Sequence, residues 1–299
     1  MKLFVTGIAT LATVLVAQGC SSVVQSKQPS VAPSGQPEAS PMAGMDHGNA
    51  SIHSSEHSGM EMPEIAETAQ AKLTAPQRIT PNTPAHVVID VQDKSSGKPI
   101  TNFDLFQTKL MHLIVVSDNL QAFSHIHPIY QNKGRFDVEA NFPQPGGYTL
   151  FSDYKPTGQK EQVSVMKTQV LGISPVASPI NLSQTRTFGN TKASLTFPEV
   201  TLKAGQEIPL TFDLQDKLNN QPINDLQPYL GEKGHLVIVR QAPSLSKSDY
   251  IHAHAAKDPS NSRAQFMTSF PKPGRYKLWG QFNRNGKIVI ADFWVNVSS

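Results

Sequence analysis

The sequence predicts an all-β protein, with two tandem β-sandwich domains following a disordered N-terminal tail. Three observations carry this expectation. From about residue 71 onward, short alternating or wholly apolar runs are separated by Pro, Gly and Asn, the pattern of strands joined by tight turns. No stretch keeps a 3.6-residue apolar period, so helices are expected to be few. The second half also repeats the first in collinear order. Val91-Gln92-Asp93 matches Leu214-Gln215-Asp216, and Pro99-Ile100-Thr101 matches Pro222-Ile223-Asn224. Phe142-Pro143-Gln144-Pro145-Gly146-Gly147-Tyr148 matches Phe270-Pro271-Lys272-Pro273-Gly274-Arg275-Tyr276.

Taken in order, residues 1–19 read as a signal peptide. Lys2 supplies the positive start, and Leu3 to Ala17 is largely apolar yet shorter than a membrane span. The stretch Ala17-Gln18-Gly19-Cys20 resembles a bacterial lipobox, in which the cysteine is lipidated; Gln18 is a less usual residue there. An ordinary signal peptide with an incidental cysteine is the competing reading. Ser21 follows, and the lack of Asp at this place resembles lipoproteins sorted to the outer membrane, facing the periplasm. Cys20 is the single cysteine, so its lipidation would leave no thiol for a disulfide, a nucleophile or a metal. Residues 20–70 are rich in Ser, Pro, Gly, Met and His. They bury too little to offset the entropy of ordering and read as a lipidated, disordered tether. The net charge of +3 is spread without basic blocks, which argues against a nucleic-acid partner.

Domain 1 is expected over 71–173. Its strands are predicted at 86–93, 110–117, 122–127, 134–142, 147–154 and 162–170, with an edge strand near 72–79. A Ser/Pro/Asn-rich linker follows over 174–190, then domain 2 over 191–299. The paired Pro-x-Gly-x-Tyr pieces resemble the tyrosine corner of immunoglobulin-like sandwiches and make Tyr148 and Tyr276 scaffold residues. The Cys–Trp–Cys core of antibody domains is absent.

A histidine pattern occurs in both halves. His112 opens an apolar run and is followed by His125-Ile126-His127; His235 opens another and is followed by His252-Ala253-His254. Histidines two apart project from one face of a strand. A hairpin would bring all three imidazoles of a repeat to one edge, the donor set of a zinc or copper site with an open position. In the competing reading the histidines are structural or solvated. Their retention while neighbours diverged favours metal, although a duplication also retains folding residues.

The tail carries Met45, His47, His53, His57, Met60 and Met62, with Met42 before them. No core requires them there. Thioether sulfur is a soft ligand suited to Cu(I), and imidazole accepts copper or zinc. Met45-Asp46-His47-Gly48 is similar to the Met-Asp-His units of bacterial periplasmic copper-handling proteins. Unselective metal adsorption and compositional accident are the alternatives.

Other residues are set aside. His86 falls opposite Pro209 in the repeat, and Met111 opposite Gly234, so neither is assigned as a ligand. Asp153 falls opposite Gln281, which argues against one carboxylate role in both copies. No Gly-x-Ser-x-Gly, phosphate loop or His-Glu-x-x-His is present, so no catalytic residue is assigned and the chain is not read as an enzyme.

Through His112-Leu-Ile-Val-Val, His125-Ile-His127-Pro128, the Tyr148 segment and their counterparts, the folded part resembles bacterial secreted proteins built from YtkA-like or related immunoglobulin-like modules. That resemblance implies the fold, a cell-envelope setting and company with metal-handling partners. The expected function is copper binding or buffering by an envelope lipoprotein. The alternatives are a zinc-binding protein of this architecture and a non-catalytic interaction module.

Overall fold

Strands β1 (Ala69–Thr74), β2 (Ala85–Asp93), β3 (Met111–Ser117), β4 (Phe123–Ile126), β5 (Ile129–Asn132), β6 (Arg135–Ala140), β7 (Gly146–Tyr154) and β8 (Gln162–Val170) build the first repeat. They pair antiparallel into two sheets, β1-β2-β6-β5 and β4-β3-β7-β8. The computed structural model describes residues 67–255 and 262–299, with the His254 side chain outside that description. The second repeat contains β9 (Thr185–Phe188), β10 (Thr191–Thr196), β11 (Leu202–Lys203), β12 (Glu207–Asp216), β13 (Leu226–Gln227), β14 (His235–Arg240), β15 (Tyr250–His254), β16 (Arg263–Ser269), β17 (Gly274–Arg284) and β18 (Lys287–Ser298). Its sheets run β16-β12-β10-β9 and β11-β18-β17-β14-β15, with β13 against β17. This two-sheet arrangement is the immunoglobulin-like sandwich, in which β3, β4, β7 and β8 correspond to strands C, C′, F and G.

The strands fall close to the expected places, with three differences. The first edge strand, Ala69–Thr74, begins two residues inside the segment read as tether and ends before the expected 79, while Ile79 makes only an isolated parallel bridge to Val170. β9 lies within the stretch read as linker. β5 was not expected at all. Its residues, Ile129–Asn132, are mostly exposed and show no alternation. The turn that pairs β5 with β6 requires positive φ at Asn132, Lys133 and Gly134. A Cβ on Gly134 would meet the Val91 carbonyl at 2.4 Å, so only glycine fits there.

Burial follows the strand period. In β2, Val87, Ile89 and Val91 point into the first sandwich; in β12, Ile208, Leu210, Phe212 and Leu214 point into the second. Strands β3 and β14 break this rule because both of their faces are buried. Met111, Leu113 and Val115 enter the first core, and Leu236 and Ile238 the second. The opposite faces, with Ile114, Val116, Val237 and Val239, meet in a third core that also holds Leu120, Phe151, Leu245, Tyr250 and Trp279. The two sandwiches are therefore packed against each other through the sheets that carry β3 and β14.

This third core follows a pseudo-two-fold relation. Phe123 stacks on Trp279 with ring centroids 4.7 Å apart and planes at 12°; Phe151 stacks on Tyr250 at 4.4 Å and 9°. Phe123 and Tyr250 hold equivalent places in the two repeats, as do Phe151 and Trp279. The contact is isologous, like a homodimer interface written into one chain.

The two tyrosine corners are present. Tyr148 Oη donates to the Gln144 carbonyl at 3.0 Å and accepts from its N–H at 3.1 Å; Tyr276 does the same with Lys272 at 2.7 and 3.3 Å. Both tyrosines are buried. Tyr148→Phe and Tyr276→Phe are each expected to lower unfolding stability by about 1 kcal/mol, from the loss of one hydroxyl serving two backbone groups. Chemical denaturation checks this, and an unchanged midpoint for either variant would remove the corner from the scaffold.

Candidate metal centre

The third core ends in histidine. On β3, His112 precedes Ile114 and Val116 on the interface face; on β14, His235 precedes Val237 and Val239. Both histidines are fully buried. Cross-strand register supplies the others. Ile114 lies opposite His125 on β4 and Val237 opposite His252 on β15, while His235 lies opposite His254. His127 follows the end of β4. Facing residues on adjacent strands stand about 5 Å apart at Cβ, so each repeat gathers its histidines on one face. The face-to-face packing then joins the two groups.

The result is one cluster shared by both repeats, where the sequence suggested two separate hairpin edges. Donor nitrogens of His112, His125 and His127 lie within 4.8 Å of one another. The ring of His112 stands 5.2 Å from His125, 5.0 Å from His127, 6.1 Å from His235 and 5.5 Å from His252, centroid to centroid. His125 is 5.8 Å from both His235 and His252. His112 Nδ1 faces His125 Nε2 at 2.9 Å, and His235 Nδ1 faces His252 Nε2 at 3.3 Å. Nitrogens bound at about 2.0–2.1 Å to a tetrahedral ion would be roughly 3.3 Å apart, so this spacing suits shared coordination.

The outward nitrogens are held by the opposite repeat. His125 Nδ1 reaches Gln281 Oε1 at 3.1 Å, and His252 Nδ1 reaches Asp153 Oδ2 at 2.8 Å. Both acceptors are oxygens, so each Nδ1 is placed to donate and each Nε2 faces inward. A carboxylate or carbonyl behind a histidine is the usual arrangement that orients a metal-binding imidazole. Asp153 and Gln281 occupy equivalent positions, opposite His112 on β7 and opposite His235 on β17. Sequence reading set Asp153 aside because its counterpart is not a carboxylate. The structure shows that the two residues share an acceptor role that needs only a side-chain oxygen. Their common place in the repeat was the signal available for finding them.

Tyr250 was missed as well. Its hydroxyl donates to Asp153 Oδ2 at 2.6 Å, and burial, then Asp153, pushes its pKa well above the usual phenol range. Burial, followed by the neighbouring ring of His252, holds His125 well below the ordinary histidine range. Burial and Lys109 push His127 down to about 4. These rings are therefore neutral at pH 7, the form that ligates metal. The His127 Nε2 atom is buried with no hydrogen-bond partner.

Two related turns cap the cluster. Phe106 pairs with Lys109, and Tyr229 with Glu232. The Phe106 carbonyl lies 3.2 Å from His112 Nε2, and Tyr229 packs 5.4 Å from the His235 ring. Met111 points away into the first core, and His86 is exposed on β2 near Asp137. Neither joins the cluster. Cys20, Met45, His47, His53, His57, Met60 and Met62 lie outside the described residues, as does the side chain of His254.

Fold and site thus define a two-sandwich protein with a buried, histidine-lined interface. The chain belongs to the family described as domain of unknown function DUF8832, which matches residues 65–170 and again 186–299. Among solved structures, the Escherichia coli adhesin FdeC is similar at 13% identity over 78% of this chain and 65% of its own, with a TM-score of 0.25. The Yersinia pseudotuberculosis adhesin InvE matches at 15% identity over 76% of this chain and 59% of its own, with a TM-score of 0.23. A Salmonella alpha-2-macroglobulin matches at 13% over 78% and 15%, with a TM-score of 0.28. The chain spans less than two-thirds of each of these structures. No curated protein shows a match.

Asp153→Ala would leave the Tyr250 hydroxyl and the His252 N–H buried without their acceptor. Metal-free protein is expected to lose about 2–6 kcal/mol, at roughly 1–3 kcal/mol for each of the two stranded groups. Denaturant unfolding measures it, and a loss under about 0.5 kcal/mol would mean that Asp153 is not holding these two residues.

Proposed function

We propose that this chain is a cell-envelope lipoprotein that binds a transition-metal ion at the interface between its two sandwiches, with copper the favoured ion. The observation that carries the reading is the convergence of His112, His125, His127, His235 and His252 in one buried cluster. The hydrogen bonds to Gln281 and Asp153 that aim two of these rings inward support it. Five imidazoles serving only to fill a core would be an unusual choice, since apolar side chains do so without the desolvation of polar ring nitrogens.

Imidazole donors suit Cu(II), Zn(II) and Ni(II), and Cu(II) stands highest in intrinsic affinity. Copper is favoured over zinc by the tail, where Met45, Met60 and Met62 accompany His47, His53 and His57 and thioether sulfur selects Cu(I). In this reading the tail captures the ion and the interface cluster holds it. The signal-like residues 1–19 and the lipobox-like Ala17–Cys20 would attach the chain through lipid, with the outer membrane as the expected site. The role is binding and buffering, without catalysis.

The test is a titration of full-length protein with Cu(II), Cu(I) and Zn(II) against a His112→Ala/His125→Ala/His252→Ala variant. A second variant changes the tail Met and His residues to Ala. The interface triple variant is expected to lose at least a hundredfold in Cu(II) affinity, and the tail variant to lose Cu(I) capacity while keeping the interface site. Equal Cu(II) affinity in the parent and triple variant would reduce the cluster to a structural hydrogen-bond network. Tighter Zn(II) than Cu(II) binding at the interface would make it a zinc site.

A further inference from the structure

We infer that Asp153, Glu161 and His252 form a second cation position beside the histidine cluster, so that the interface holds a pair of divalent transition-metal ions bridged by the His252 ring. The inference rests on the metal-binding reading above and deepens it.

Three observations carry it. Donor atoms of Asp153, Glu161 and His252 lie within 4.8 Å of one another, a grouping that shares no residue with His112, His125 and His127. Asp153 is fully buried and uses one carboxylate oxygen twice. Its Oδ2 accepts from both Tyr250 and His252, while Oδ1 is buried with no hydrogen-bond partner. A buried carboxylate oxygen left bare is costly, and such an atom calls for a partner, of which a bound ion is one kind. Finally, His252 stands between the two groups. Nδ1 touches Asp153, and Nε2 faces His235 inside the cluster, its ring 5.5 Å from His112.

Two carboxylates with one imidazole make a harder donor set than three imidazoles, and they suit Zn(II) better than Cu(I). Glu161 is the exposed member and gives an ion a route from solvent to Asp153. Binding proceeds with a balanced exchange. The ion takes the Nδ1 lone pair of His252 as the N–H bond breaks, and the proton leaves to solvent. Asp153 Oδ1 becomes a ligand, while Oδ2 keeps the Tyr250 hydrogen bond. His252 then serves one ion through Nδ1 and the other through Nε2.

The experiment uses the full-length chain with the tail Met and His residues changed to Ala, so that only the folded part contributes. Equilibrium dialysis against Zn(II), followed by metal analysis, is expected to find about two ions per chain in this parent and about one in Glu161→Gln, which removes a ligand charge at an exposed position. His125→Ala/His127→Ala is expected to keep about one. With Cu(II) in place of Zn(II), the electron paramagnetic resonance intensity per bound ion should be attenuated in the parent by coupling through His252, and restored in Glu161→Gln. One ion in both the parent and Glu161→Gln, with full signal intensity, overturns the second position and leaves the histidine site standing. No ion in either protein overturns both readings.

Discussion

The face-to-face packing of β3 and β14 is the constraint on which the rest of the structure depends. In an ordinary sandwich a strand buries one face and wets the other. Here Leu113 and Val115 serve one core while Ile114 and Val116 serve another, and Leu236, Ile238, Val237 and Val239 divide in the same way. A strand buried on both sides has no solvated face on which polar groups can rest. Any polar residue on it must be satisfied by neighbours, and His112 and His235 are placed under that condition. The hydrophobic interface brings them together, and the same packing withdraws their water.

That packing is also why a duplicated pattern yields one histidine cluster. Two related sheets facing across a pseudo-two-fold axis place equivalent residues near the axis side by side. The stacks Phe123–Trp279 and Phe151–Tyr250 reproduce the symmetry with different side chains. Asp153 and Gln281 reproduce it in polar form, each accepting from the repeat to which it does not belong. Duplication has left the geometry alike and allowed the chemistry to diverge. A carboxylate backs His252 and a neutral amide backs His125.

Much of the fold was legible in the chain because strands announce themselves locally. Alternation in Val87, Ile89 and Val91, the apolar runs after His112 and His235, and the turn before Tyr148 all depend on near neighbours. β5 escaped because an exposed edge strand carries no alternation, and its pairing depends on a positive-φ turn. The histidines were legible as ligand types at strand spacing. Asp153, Gln281 and Tyr250 were not, because their partners lie far along the chain and across a packing interface.

The sequence by itself determined the all-β class, the duplication, the tyrosine corners and which imidazoles stand on one face of each repeat. Each follows from the period of a strand, the chemistry of a turn or the recurrence of a motif. Only the tertiary structure decided that the repeats pack through β3 and β14, and that His112, His125, His127, His235 and His252 therefore lie together in one cluster. The reason is physical: register and period operate within a few residues. Which of two apolar faces meets another, and which oxygen then lies behind each ring, depends on surfaces that exist only after both sandwiches have formed.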